Sequence, residues 1–158
     1  MPAMHASLTT PQAIVLGTQL VSTLAMFGLI WFVQLVHYPL FLRVPPEAFI
    51  AYETEHANRT GVLVFPFMLA ELLSALALLI PKLRPATIPA SQALIGAALV
   101  GVLWASTVFV QIPLHNRLHQ AHNPATIRRL INSNWLRTAA WTARTTLLVT
   151  WTAHVCRP

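Results

Sequence analysis

Long apolar runs separated by short polar ones dominate the chain. A hydrocarbon core of about 30 Å takes about 20 mainly apolar residues of helix, and four segments, roughly 13–37, 61–80, 89–112 and 138–155, approach or meet that length. Ala13 to Val36 has only Gln19 and Gln34 as strongly polar interruptions, and Pro89 to Ile112 only Gln92 and Gln111. The second run carries Pro66 and Glu71, and the fourth carries Arg144 with Thr142, Thr145, Thr146, Thr150 and Thr152. Pro81, Pro85 and Pro89, with Lys82 and Arg84, mark a connection too short to hold a domain. The connections at 38–60 and 113–137 are each long enough for an interfacial helix. The pattern predicts an all-α integral membrane protein, a single domain over 1–158 with four transmembrane helices. The first sixteen residues contain no Lys or Arg, so the first run reads as a retained helix and not as a secretory signal.

Phe32-Val33-Gln34 recurs as Phe109-Val110-Gln111, followed by Tyr38-Pro39-Leu40 and Ile112-Pro113-Leu114 respectively, and Arg59-Thr60 recurs as Arg137-Thr138. Both echoes have nearly the same spacing, which predicts two tandem similar hairpins, each with an interfacial helix between its spans. Because each unit has two spans, the copies enter from the same side, as in parallel membrane repeats.

Composition supports the membrane class. Apolar residues make up 56% of the 158-residue chain and charged residues 9%, against about 25% charged in ordinary soluble domains. The formal charge is +6, but the basic residues form no run, so a nucleic-acid partner is excluded. Arg43, Arg59, Arg117, Arg128, Arg129 and Arg137 fall on one face and Lys82, Arg84 and Arg157 on the other. The positive-inside rule then puts the two long connections in the cytoplasm, in keeping with a bacterial inner membrane. The single cysteine, Cys156, allows no intrachain disulfide and reads as inert.

Polar chemistry gathers on the face with the long connections: His37, Glu53, His56, Arg59, His115, His119, His122, Asn134 and Arg137. Pro45, Pro46 and Glu47 suit a helix start. Phe49, Tyr52, Glu53, His56 and Arg59 or Thr60 then share one stripe, while Glu55 points elsewhere. Glu53 and His56 form the Glu-x-x-His pair that metal-binding bundles use, and His115 and His119, at i and i+4, share a face as metal ligands often do. If the first and third spans are neighbours, His37, Glu53, His56 and His115 converge near the interface, with His119 a turn further out. That set suits a transition metal such as Fe, Cu, Mn or Zn, with haem a weaker fit. The competing reading is a carboxylate hydrogen-bonded to an imidazole or arginine. His5, His122 and His154 read as solvated or interfacial.

Glu71 lies about 16 Å into its span at 1.5 Å per residue, a depth at which a carboxylate by default marks function. Arg144, Ser106 and Thr142 are the partners that the sequence offers. Trp135, Trp141 and Trp151 fall where interfacial belts would place them, the threonines of the last span read as interhelical glue, and Trp31 and Trp104 lie deeper, as core or as a pocket wall.

Thr107-Val-Phe-Val-Gln-Ile-Pro-Leu-His-Asn116, followed by Asn134-Trp-Leu-Arg137-Thr138, resembles the second half of the anthrone-oxygenase-like family of small four-span membrane proteins. In the first half, Tyr38-Pro39-Leu40 with the downstream Asn58-Arg59 is similar to that family's Pro-Leu and Asn. His115 stands where the family has Asn. The resemblance implies a four-helix membrane bundle and oxygenation of an aromatic, polyketide-like substrate; the added histidines point to a metal-dependent variant. The resulting expectation is a membrane-embedded oxidoreductase acting on a lipophilic aromatic or quinone-like molecule. In it His37, Glu53, His56, His115 and His119 surround a metal, Arg59 and Arg137 orient an anionic group, and Glu71 shuttles a proton. Membrane lipids, and a second copy of the chain completing the bundle, are the other expected partners. The alternatives are a proton-coupled transport or binding protein and a purely structural membrane subunit.

Overall fold

The computed structural model describes residues 8–155, so His5, Cys156 and Arg157 lie outside the described residues, as does the side chain of His154. Among the described residues every regular element is helical. Helix α1 spans Thr10–Phe32 and passes through a π-helical turn, Val33–His37, into a short α2, Tyr38–Leu40, and a 3-10 turn, Phe41–Arg43. After a break at 44–45, α3 runs over Pro46–Ala77. The second half repeats this order: α4 over Ala90–Ser106, a π-helical turn over Thr107–Gln111, α5 over Ile112–Leu118, then α6 over Pro124–Val155.

Local sequence sets these boundaries. The Thr9 N–H donates to Gln12 Oε1 at 3.1 Å at the start of α1, and Asn123 Oδ1 accepts the Thr126 N–H at 3.0 Å ahead of α6, each satisfying a donor that a helix start leaves free. Pro46 sits in the first turn of α3 with Glu47 beside it. The π turns have a common cause. Pro39 and Pro113 cannot donate to the carbonyls four residues back, Leu35 and Phe109, and their rings clash with them. The ladder widens instead, with the Tyr38 N–H on Val33 O and the Ile112 N–H on Thr107 O.

The expected division into interfacial helices and separate spans is corrected. Residues 45–60 and 61–80 are not two elements, because nothing between His56 and Val64 breaks the helix, and α3 continues through Arg59, Thr60 and Gly61 to Ala77. The second long connection likewise divides between α5 and the first turns of α6. The repeat is also shifted: the two π turns and their prolines stand 74 residues apart, out of step with the Phe-Val-Gln echo.

α1 packs on α3 and α6, and α4 packs on α6 and α3. The interior falls into three layers. Phe41, Phe49, Leu118, Ile127 and Leu130 fill one end, Met26, Ile30, Leu103 and Trp141 the middle, and Leu16, Leu78, Ile88, Leu148 and Trp151 the other end. Among the described residues, three helices are long and apolar enough to cross a membrane: Thr10–Arg43, Pro46–Ala77 and Ala90–Leu118. Their most apolar windows are only 33%, 22% and 28% buried, so most of that apolar surface faces outward. Such a surface suits an integral membrane protein with lipid as its solvent. The fourth long helix, α6, is less apolar, carrying Arg128, Arg129, Arg137 and Arg144.

Two expectations for α6 change. Trp141 and Trp151 are buried core residues, 1% exposed each, while Trp135 alone of the three faces outward. The threonines mostly bond back to their own helix, Thr142 to Thr138 O, Thr145 to Trp141 O and Thr146 to Thr142 O, at 2.7–3.0 Å. A hydroxyl at helical spacing reaches the carbonyl four residues back before any neighbour. The crossings to another helix are Trp31 Nε1 to Thr142 Oγ1 at 3.2 Å and Thr138 Oγ1 to Gln34 Oε1 at 3.4 Å.

Candidate metal centre

The first π turn ends at His37, whose Nε2 lies 2.8 Å from His56 Nδ1 on α3. Thr60, one turn along α3, places its hydroxyl 3.1 Å from the same nitrogen. On α5, His115 Nδ1 pairs with Glu53 Oε1, and His115 Nε2 lies 3.1 Å from the Tyr38 hydroxyl. A neutral His115 that donates through Nδ1 to the carboxylate is left with Nε2 to accept the tyrosine proton. His119, just past α5, brings Nε2 to 3.9 Å from Glu53 Oε1. The imidazoles of His37 and His56 lie 4.5 Å apart between centroids, and those of His56 and His115 5.6 Å.

Glu53, His56 and His115 each offer a ligand atom, and these atoms all lie within 4.8 Å of one another. A metal at about 2.0–2.2 Å from each donor would draw them somewhat closer. Glu53 is fully buried, its Oε2 has no hydrogen-bond partner, and neither does the buried Nε2 of His119. A buried carboxylate oxygen without a donor is costly, and a cation is one group that would satisfy it. Carboxylate and imidazole together suit Fe, Mn, Zn or Cu.

The expected site residues divide. His37, Glu53, His56, His115 and His119 come together at one end of the bundle. Arg137 joins them from α6: it is 7% exposed, donates through Nη1 to Asn134 Oδ1 at 3.1 Å, and has Tyr38 beside it. Arg59 pairs with Glu55, both well exposed, on the α1-side cavity next to His56 and outside the Glu53–His115 cluster. Glu71 is remote, fifteen residues along α3 from His56, or roughly 22 Å at the helical rise. There Ser22 Oγ and Thr23 Oγ1 donate to Oε2 at 2.8 and 2.7 Å, and Arg144 Nε donates to Oε1 at 2.8 Å. Arg144 is thus the partner of Glu71, joined by hydroxyls of α1 rather than by Ser106 or Thr142. A proton route from Glu71 to the histidines has no support in this geometry.

Sequence reading missed Tyr38 as a member of the site and held Thr60 only as the alternative to Arg59 on the Glu53–His56 stripe. Tyr38 was visible only as part of the repeated Pro-Leu string, although its position next to His37 and Pro39 was a usable signal.

Two cavities flank His56. One, of about 380 Å³, lies on the α1 side and is lined by His37, His56, Arg59 and Thr60 with apolar residues of α1 and α3. The other, of about 360 Å³, lies between α3 and the α4–α5 rod, with His56, His115, His119, Tyr38 and Arg137 at its polar end. Its apolar part is formed by Val64, Phe65, Met68, Trp104 and Val108. Phe65 and Val108 are also outward-facing, so this cavity adjoins the lipid-facing surface. Compared with family models, curated proteins and solved structures, the chain matches none.

Proposed function

We infer that the protein is a membrane-embedded, metal-dependent oxidoreductase of the oxygenase type, acting on a lipophilic aromatic or quinone-like molecule that reaches the site from the bilayer. The observation that carries this is the Glu53, His56 and His115 donor set, with an unsatisfied Glu53 oxygen, beside an apolar cavity. Glu53, His56 and His115 hold the metal, which supplies Lewis-acid or redox chemistry when bound. His37 orients His56 from behind, as outer partners of metal-bound histidines do. Tyr38 stands beside His115 at the polar end of the cavity, where its hydroxyl can donate to a bound substrate.

The same proposal takes α6 as the fourth span, pairs α1 with α3 and α4 with α6 as two tandem hairpins, and assigns the chain to the anthrone-oxygenase-like group. The site face is cytoplasmic by the arginine count, in a bacterial inner membrane.

The test is metal content by mass spectrometry, with a visible spectrum, on detergent-purified protein and its His56→Ala and His115→Ala variants. Near-stoichiometric Fe, Cu, Mn or Zn in the parent, lost in both folded variants, is the expected result, followed by oxygen uptake with aromatic and quinol-like substrates. A Soret band would identify haem. Metal absent from the parent after purification under reducing conditions and resupply overturns the proposal.

One observation favours a metal-free alternative. Both ring nitrogens of His115 are already engaged, by Glu53 and Tyr38, and His56 Nδ1 faces His37, which would suit a binding protein. That alternative predicts ligand exchange without turnover.

A further inference from the structure

Arg137 is a buried cation without a counter-charge. The chain has four acidic residues, all glutamate. Glu53 pairs with His115, Glu55 with Arg59 and Glu71 with Arg144, while Glu47 stands exposed at the start of α3. Among the described residues no carboxylate lies within ion-pair distance of Arg137, and its Nε has no acceptor. Burying a guanidinium in this way is unfavourable unless an anion completes it, and an arginine kept in the interior of a membrane bundle points to a ligand.

The surroundings describe that ligand. Arg137 and Tyr38 stand at the polar end of the cavity between α3 and α4, and Val64, Phe65, Met68 and Val108 form a wall toward the lipid-facing surface. Trp104 Nε1, at the cavity wall, is a second buried donor without a partner. We propose that this cavity binds an amphiphile with a carboxylate head and an apolar body, the head on Arg137 and the body between α3 and α4. The planar guanidinium fork matches a carboxylate in two parallel hydrogen bonds. The head then lies beside His56 and His115 and the body extends toward the bilayer. As a substrate class this rests on the proposed oxidoreductase; as a binding site it stands on Arg137 and the cavity alone.

The probe is cis-parinarate, a fluorescent fatty acid that accepts energy from tryptophan, titrated into full-length protein in nanodiscs, in metal-depleted and metal-loaded forms. Saturable energy transfer is expected in the metal-depleted form, with affinity falling about tenfold or more in Arg137→Gln, as for loss of a charged hydrogen bond, and less in Arg137→Lys. The methyl ester of the probe, which keeps the body and removes the charge, should lose a similar factor on the unmodified protein. This arm decides the matter even where Arg137→Gln fails to fold. Trp104→Phe should reduce the transfer and keep competition by unlabelled palmitate. Equal binding of acid and ester, or unchanged affinity in folded Arg137→Gln, overturns the proposal. So does displacement of the probe by phosphatidylglycerol at equal concentration, which would reassign the cavity to bilayer lipid. Because the readout is binding to metal-depleted protein, failure of the metal centre would leave this result standing.

Discussion

Glu53 and Glu71 lie on the same helix, both almost completely buried, and their surroundings differ in kind. At Glu71 both carboxylate oxygens are engaged, one by Ser22 and Thr23 and the other by Arg144. Ser74, one turn along α3, accepts from Gln19 at 3.2 Å, and the Arg144 guanidinium packs 5.8 Å from the Trp151 ring. At Glu53 one oxygen has a partner and the other has none, while His119 and Arg137 nearby also keep unused donors or acceptors. A carboxylate satisfied through both oxygens within the protein holds helices together. A network left open at a cavity holds something else. Depth in the membrane alone, which singled out Glu71 as functional, does not separate these cases; whether both oxygens of the carboxylate are satisfied does.

The largest effect is expected at the closed end. Arg144→Met leaves the Glu71 carboxylate buried without its cation, and breaking a buried pair from one side costs about 3–5 kcal/mol. Thermal unfolding in detergent should show that loss, with much of it regained in the double variant Glu71→Leu and Arg144→Met, where no charge is stranded. Whatever folded protein is recovered should hold metal as the parent does. A double variant as unstable as the single would mean that the pair itself, and not its broken half, is what the bundle needs.

A smaller effect tests how tightly that end is built. A Cβ at Gly96 would collide with the Arg144 guanidinium and come within 3.1 Å of the Trp151 ring. Gly96→Ala should destabilise by about 1–3 kcal/mol, as overpacking does. The same change at Gly101, where a Cβ meets nothing within 4 Å, should be neutral or slightly stabilising. Equal melting temperatures for the two variants would show that Arg144 can move aside.

Much of this contrast was legible in the sequence, and its limits have physical causes. The apolar runs located α1 and α4 because lipid-facing helices need no polar face. The three-and-four spacing brought Glu53 and His56 to one side, and the arrangement of the long helices brought His37 and His115 to them. Helix continuity was not legible, since Arg59-Thr60 reads as an interface although nothing in it interrupts backbone bonding. Arg59 and Arg137 look alike as Arg-Thr pairs, yet one is an exposed partner of Glu55 and the other is buried. Only packing separates them, because Glu55 lies one turn from Arg59 on the same helix and Arg137 has no acid so placed on α6. Trp141 and Trp151 were misplaced for a related reason: belt positions and core positions alternate within one turn, and the neighbours that cover them, Met26, Met68 and Leu103 at Trp141 and Gly96 at Trp151, are distant in sequence.

The smallest effect, and the one that bears most directly on the open end, is expected from Glu53→Gln. In metal-free protein the amide oxygen can keep the contact to His115, and the substitution removes a buried negative charge that is satisfied through one oxygen only. Stability should therefore hold or rise, by up to about 1–2 kcal/mol, in the way that replacing functional residues often stabilises a fold. Metal should reverse the order. A ligand that binds the folded state at a hundred times its Kd adds about 2.7 kcal/mol, and the parent should gain this while Glu53→Gln gains little. Melting curves with and without the metal found in the parent test the crossing. If Glu53→Gln is less stable than the parent in both conditions, then Glu53 is another closed structural contact like Glu71, and the difference between the two ends of α3 disappears.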